Sequence, residues 1–276
     1  MEKQAGYIRR IEIDGLWGQF SIQWDLRPDV NILSGINGVG KTTILNRSVD
    51  YLEQLSGEAK HDLKNGVRIF FDDPEATFIP YDVIRSYDRP LAQYDPANRA
   101  PDGYVRSELD WQLYLLQRKY LDYQVNTGNK MIELLNSDDE RERSKAASLS
   151  LPKKRFQDMV DSLFSYTHKT IDRKRNDIAF YRNGELLFPH KLSSGEKQML
   201  VILLTALVRD NERCTLFMDE PETSLHIEWQ QKLISMIREL NPNEQIILTT
   251  HSPAVIMEGW LDAVTEVSDI SSPLVK

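Results

Sequence analysis

The sequence has a single cysteine, Cys214, in 276 residues. One thiol excludes a disulfide framework or a cysteine zinc site within the chain and fits a reducing cytosol. Long apolar runs are also missing. The longest, MLVILLTALV at 199–208, is half of the roughly 20 residues that a membrane-spanning helix needs. It predicts a buried helix and no membrane partner. The first residues, MEKQAGYIRR, lack the apolar core of a secretory signal, so the expected location is cytoplasmic. Positive charge is scarce: 34 Lys and Arg against 42 Asp and Glu leave a net charge of −8. That balance argues against broad non-specific nucleic-acid binding, though not against a local basic patch. No internal repeat and no sustained run of heptads is present. The remaining composition, 41% hydrophobic and 28% charged, is that of a soluble globular chain with core enough for one large domain, or one domain with a lobe.

The most informative stretch is SGINGVGKTT at 34–43. Gly35, four residues, then Gly40, Lys41 and Thr42 is the spacing of a phosphate-binding loop. The apolar residues 30–33 before it read as a strand and 42–55 after it as a helix, the context the motif requires. Backbone N–H groups from Gly35, Asn37, Gly38, Val39 and Gly40 through Thr43 can close on phosphate oxygens at a helix N-terminus. In this reading Lys41 reaches the β- and γ-phosphates of ATP and Thr42 places its hydroxyl on Mg2+.

Three further pieces follow. TLFMDEPE at 215–222 is an apolar strand that ends in two carboxylates, where ligands bind in open α/β sheets. Asp219 fits the Mg2+-holding role, and Glu220 fits a general base acting on the attacking water. KLSSGEKQ at 191–198 opens a helix. Ser193, Ser194 and the Gly195 backbone can form a second anion site; the plainer reading is that Ser193 caps the helix with Glu196 in its first turn, and both can hold at once. One nucleotide needs only one phosphate loop, so a second anion site implies that two chains share each nucleotide. LTTHSP at 248–253 puts His251 after an apolar strand, in reach of a γ-phosphate or its attacking water.

In this order GINGVGKT, LSSGE, FMDEPE, ETSLH and TTHSP resemble the ABC-type ATPase superfamily, with motifs from Ser34 to Pro253. The resemblance implies that Gly35 to Thr43 is the Walker A loop, Asp219 and Glu220 the Walker B end, Leu192 to Glu196 the signature, Glu222 to His226 the D-loop region and His251 the switch histidine. It also implies a head-to-tail sandwich in which the signature of one unit caps the ATP held by the other. Ser194 and Glu196 stand where transporters usually carry glycine and glutamine. The Q-loop glutamine is not obvious, Gln93 being the nearest candidate. No adenine-stacking aromatic is assignable, although Trp17 and Phe20 lie nearby in sequence. The wording MDEPETSLHIEWQQKLI and QIILTTHSPAVI is similar to the non-transporter RecF/SMC-like and OLD-like branch, including compact ATPases of bacterial anti-phage systems.

The expected fold is therefore an α/β P-loop fold of the ABC-ATPase type, with core segments 1–100 and 177–276 and an inserted, mostly helical lobe at 101–176. Strands are expected at 7–14, 20–26, 67–71 and 77–84, the last at a sheet edge because of Pro80. A loop is expected at 87–103, helices at 107–135 and 152–168, a mobile polar stretch at 136–150, and a hairpin at 177–188 that turns at Asn183-Gly184. Strands at 215–218 and 245–248 flank a helix at 227–240. The lead function is an ATP-driven switch, a homodimer or larger homo-oligomer, that controls a separate effector such as a nuclease or toxin. A scaffold with little turnover and a transporter subunit are the alternatives. Lys153, Lys154, Arg155, Arg173, Lys174 and Arg175 form two basic clusters that could meet DNA phosphates.

Overall fold

A computed structural model describes residues 2–55, 66–85 and 105–274. In chain order the first elements are β1 (Ile8–Leu16), β2 (Phe20–Asp25), β3 (Val30–Ser34), α1 (Lys41–Leu55), β4 (Val67–Phe71), β5 (Tyr81–Arg85) and α2 (Glu108–Leu135). Then come α3 (Glu140–Lys145), α4 (Leu151–Leu163), β6 (Lys169–Ile171), β7 (Phe180–Arg182), β8 (Glu185–Leu187) and α5 (Ser194–Val208). The chain closes with β9 (Cys214–Asp219), α6 (Ile227–Leu240), β10 (Glu244–Thr249), α7 (Pro253–Met257), β11 (Val264–Glu266), α8 (Val267–Ile270) and β12 (Ser271–Pro273).

The strands sort into three sheets. A five-stranded sheet runs β11-β3-β10-β9-β5, and every pairing in it is parallel. Its central strands β9 and β10 are buried at every position, which is why they read as unbroken apolar runs. A four-stranded antiparallel sheet, β12-β2-β1-β4, lies beside it. A three-stranded antiparallel sheet, β6-β7-β8, carries the predicted hairpin. Asn183 and Gly184 turn that hairpin with φ of 51° and 83°, the left-handed pair that a tight two-residue turn needs.

Two apolar cores follow. One joins α1 to the antiparallel sheet and one face of the parallel sheet. The other joins the opposite face to α2, α4, α5 and α6. The helix α5 is buried nearly all round, as its sequence predicts. The side chain of Gln245, on β10, ties the two larger sheets together. It accepts from the Ile8 amide at 2.9 Å and donates to the Ile8 and Arg27 carbonyls at 2.8 Å each. Among the described residues no helix is long and apolar enough to cross a membrane.

Several expectations are corrected. The polar stretch 136–150 holds α3 and a 3-10 turn. Asp139 caps α3 by accepting from the Arg141 amide, and a 3-10 turn, Ala146–Ser150, leads into α4. The helix expected to reach residue 168 stops at Leu163; a 3-10 turn, Ser165–Thr167, follows, and His168, with a left-handed φ of 55°, ends that turn and leads into β6. The strand placed at 77–84 begins at Tyr81, after Pro80, and lies at the edge of its sheet. The loop at 87–103 and the Q-loop candidate Gln93 lie outside the described residues.

At the start of β9 and β10, Cys214 pairs in register with Glu244, and the Cys214 thiol donates to the Glu244 carboxyl at 3.3 Å. Burial pushes the Glu244 carboxyl up to about 8. The folded chain therefore holds this proton between pH 4.5 and about 8, where an unfolded glutamate has lost it. Protons bound preferentially by the native state make stability fall as pH rises across that window. Glu244→Gln is expected to flatten the slope and to raise the relative unfolding midpoint towards the alkaline end. Thermal melts of both proteins across the window check this, and equal slopes would contradict it.

Candidate nucleotide site

The loop between β3 and α1 takes the form its glycines permit. Gly35, Gly38 and Gly40 have φ of 147°, 82° and 108°, a region that side-chain-bearing residues rarely adopt. A Cβ on Gly40 would meet the Trp17 ring at 2.8 Å, so an aromatic ring lies directly against the loop. Phe20, the other aromatic considered, packs instead against the core of the antiparallel sheet. The Lys41 ammonium folds back over the loop and donates to the carbonyls of Gly35 at 2.9 Å and Ile36 at 3.4 Å. Asn37, Gly38 and Thr42 are exposed, and Val39 and Thr43 are half-buried.

The parallel sheet brings the distant carboxylates to this loop. Thr42 donates its hydroxyl to Asp219 Oδ1 at 2.9 Å, and Thr249 donates to the same oxygen at 2.7 Å. Asp219 itself is buried. A hydroxyl and a carboxylate oxygen held together form a hard-oxygen donor set that suits Mg2+. Glu220 is left-handed, with φ of 47°. Its amide is held by both the carbonyl and the hydroxyl of Thr249, at 3.1 and 3.0 Å. Non-glycine residues in this region carry backbone strain that surrounding contacts must hold. His251 Nδ1 lies 3.3 Å from Glu220 Oε1, and its imidazole is half exposed. The His251 amide donates to Glu222, which also accepts from Thr250. The sequence reading did not single out Thr249 and Thr250. The signal was two hydroxyl residues in TTHSP at the end of a buried apolar strand.

The predicted signature residues form a separate cluster. Ser193 caps α5 in a complete capping box with Glu196, so the capping alternative is realised. Glu196 is buried and carries more than the box. Its carboxylate accepts from Lys169 at 2.7 and 2.8 Å, from Thr167 at 2.8 Å, and from the Ser193 amide at 2.9 Å. Burial works to raise the Glu196 carboxyl, but these donors hold it below the ordinary carboxylate range. Gly195 is packed against the turn at Ser224, where a Cβ would stand 2.4 Å from the Ser224 carbonyl. Ser193 and Ser194 remain exposed.

The two basic clusters are partly spent on local partners. Arg173 pairs with Asp158 at 2.8 Å and Asp161 at 2.6 Å, and Arg175 pairs with Asp177 at 2.8 Å. Lys153 lies 5.8 Å over the Tyr120 ring. These pairings lower the positive potential that a phosphate backbone would meet.

The family model described as "AAA domain, putative AbiEii toxin, Type IV TA system" matches residues 30–258. The Septu protein PtuA of Bacillus thuringiensis is 28% identical over 301 residues, covering 92% of this chain and 74% of that protein. The Retron Vc95 probable ATPase of Vibrio cholerae serotype O1 biovar El Tor is 28% identical over 191 residues, covering 62% of this chain and 35% of that protein. Among solved structures, an SMC head bound to the C-winged helix domain of ScpA covers 97% of both chains with a TM-score of 0.54 at 14% identity, a likeness of fold. The family match runs from β3 to beyond the TTHSP turn; the chain belongs to this AAA-domain ATPase family, and its fold is like that of an SMC head.

Proposed function

We propose that this chain binds and hydrolyses Mg-ATP, that ATP joins two copies head to tail, and that the joined state controls a separate effector protein, a nuclease or toxin, in anti-phage defence. The observation that carries the reading is the division of the motifs. Thr42, Asp219, Glu220, Thr249 and His251 form one hydrogen-bonded group at the phosphate loop. The carboxylate that organises the signature turn bonds instead to Lys169, Thr167 and Ser193. A signature cluster with its own support and exposed serines is suited to a nucleotide on another chain. The kinship with a Septu protein and a retron ATPase supports the defence setting.

In this mechanism the loop amides and Lys41 hold the phosphates, and the exposed face of Trp17 offers a surface for the base. Thr42 and Asp219 would hold Mg2+, which neutralises charge developing on the β- and γ-phosphate oxygens. Glu220 Oε1 accepts the proton of the water that attacks the γ-phosphorus. His251, beside it, orients that carboxylate and lies close to the γ-phosphate. Thr249 fixes the strained Glu220 backbone. The segment 101–176, whose helices α2 and α4 share a core with α5, acts as the lobe that passes the nucleotide state to the effector.

A complementation experiment tests the shared site. Lys41→Ala disables the loop of one chain, and Ser194→Arg blocks the signature of another. Each protein alone is expected to hydrolyse at least 10²-fold more slowly, by analogy with the loss of a positioned electrostatic group. Mixed together, they rebuild one intact site per pair, and phosphate release should return to a sizeable fraction of wild type. A mixture as inactive as its components refutes the head-to-tail arrangement.

A further inference from the structure

The mechanism gives no task to Glu222, although it is buried beside the groups that carry the chemistry. Burying a carboxylate is costly unless cations or several donors meet it. Among the described residues no lysine or arginine pairs with Glu222, and the one basic group within 4.0 Å is the His251 ring. Its Oε2 is buried without a hydrogen-bond partner. A charge kept under such conditions calls for an explanation in what its other oxygen does. That oxygen, Oε1, accepts from the Thr250 hydroxyl and, at 3.3 Å, from the His251 amide. The buried Thr250 hydroxyl oxygen accepts in turn from the Ser252 amide at 2.9 Å. One carboxylate oxygen therefore gathers the whole turn that follows β10.

Glu222 is itself fixed. Its carbonyl accepts from the Leu225 amide at 2.9 Å and from Gln230 Nε2 at 3.4 Å. Gln230 Oε1 accepts from the Ser252 hydroxyl at 2.7 Å, so α6 grips both turns. The adjacent threonines divide the work: Thr249 binds Asp219 and Thr250 binds Glu222. The His251 imidazole is half exposed, so burial does not hold it. Its place 3.3 Å from Glu220 depends on how its backbone is anchored. We propose that Glu222 is a positioning residue for hydrolysis. It holds the turn from Thr250 to Ser252 so that the His251 ring stays against Glu220, and it touches neither the nucleotide nor the attacking water. The proposal rests on the roles given above to Glu220 and His251. Small displacements matter at such a site, where a misplacement of about 1 Å can cost about 10²-fold in rate. A carboxylate suits the task because hydrogen bonds to an ionised acceptor are roughly twice as strong as neutral ones.

Steady-state kinetics test the proposal. Glu222→Ala is expected to lower kcat by about 10- to 100-fold, the usual effect of removing a group that orients a functional residue, with KM for Mg-ATP nearly unchanged. Glu222→Gln keeps an acceptor oxygen and should retain most of the rate. Glu222→Asp keeps the charge but shortens the reach, so it should be the slower of these two, a comparison that stands even where the alanine variant does not fold. In a His251→Ala background Glu222→Ala should add little, because the residue it positions is gone. A double variant slowed by the product of the two single losses, or Glu222→Gln slower than Glu222→Asp, overturns the proposal. A second readout needs no turnover. The His251 ring signals in NMR spectra are those that His251→Ala removes. They should shift or broaden in Glu222→Asp and hold their positions in Glu222→Gln, and signals unmoved in both overturn the proposal. Signals that move as expected, in a protein whose Glu220→Gln and His251→Ala variants hydrolyse ATP at the wild-type rate, uphold the grip of Glu222 on His251 and overturn the catalytic roles of Glu220 and His251 instead.

Discussion

Glu220→Gln is expected to slow phosphate release by about 10² to 10⁴-fold, the usual contribution of a positioned general base. It is also expected to trap an ATP-dependent assembly larger than the nucleotide-free state. The substitution keeps the size of the side chain and its ability to meet His251, which lies 3.3 Å away, but removes the proton acceptor. It leaves intact the Asp219 oxygen that receives Thr42 and Thr249, so Mg-ATP binding should persist. The decisive measurement is light scattering of wild type and variant with and without Mg-ATP, alongside phosphate release. Assembly that grows with ATP and does not decay in the variant supports a switch reset by hydrolysis. If hydrolysis proceeds normally in the variant, Glu220 is not the base. ATP-dependent assembly with negligible turnover in wild type as well would favour the nucleotide-gated scaffold.

Lys169→Met should produce the largest stability change of any single substitution considered. Lys169 and Glu196 are both buried and meet at 2.7 Å. Removing one member strands the other charge in the interior, at a typical cost of about 3–5 kcal/mol. Pairing Lys169→Met with Glu196→Gln removes both charges and should recover most of the loss, because the glutamine still caps the Ser193 amide. Chemical denaturation of the wild type, both single variants and the double variant measures the coupling. An additive double variant would show that the pair contributes nothing beyond its separate parts. The sign with pH follows from the lowered Glu196 carboxyl. Its stabilising contribution is fully present above the ordinary glutamate value of 4.5 and is lost as pH falls through the lower folded value. The double variant should lose that acid sensitivity.

These two experiments probe different layers of legibility. Glu220 and Asp219 stand out because an apolar strand that ends in two acids is unusual, and because the phosphate loop elsewhere in the chain gives them a purpose. The same strand–loop–helix logic anticipates β3, α1, α5, β9, α6 and β10. Lys169 gives no such signal. It sits in KTI, a three-residue strand too short for any periodicity to register, and its partner lies 27 residues away.

By itself, the sequence determined the chemistry. The glycine spacing, the Lys41–Thr42 pair, the acidic strand end and the order of the motifs specify a phosphate-binding α/β chain, because those features depend on neighbours a few residues apart. Tertiary structure decided which of these groups meet. Parallel pairing of β9, β10 and β3 carries Asp219 to Thr42 across 177 residues of chain and sets Thr249 beside Asp219. Packing also made Glu196, the first-turn cap, one half of a buried ion pair. Hydrogen bonds and ion pairs act over about 3 Å, and only the folded sheet brings such distant residues within that range.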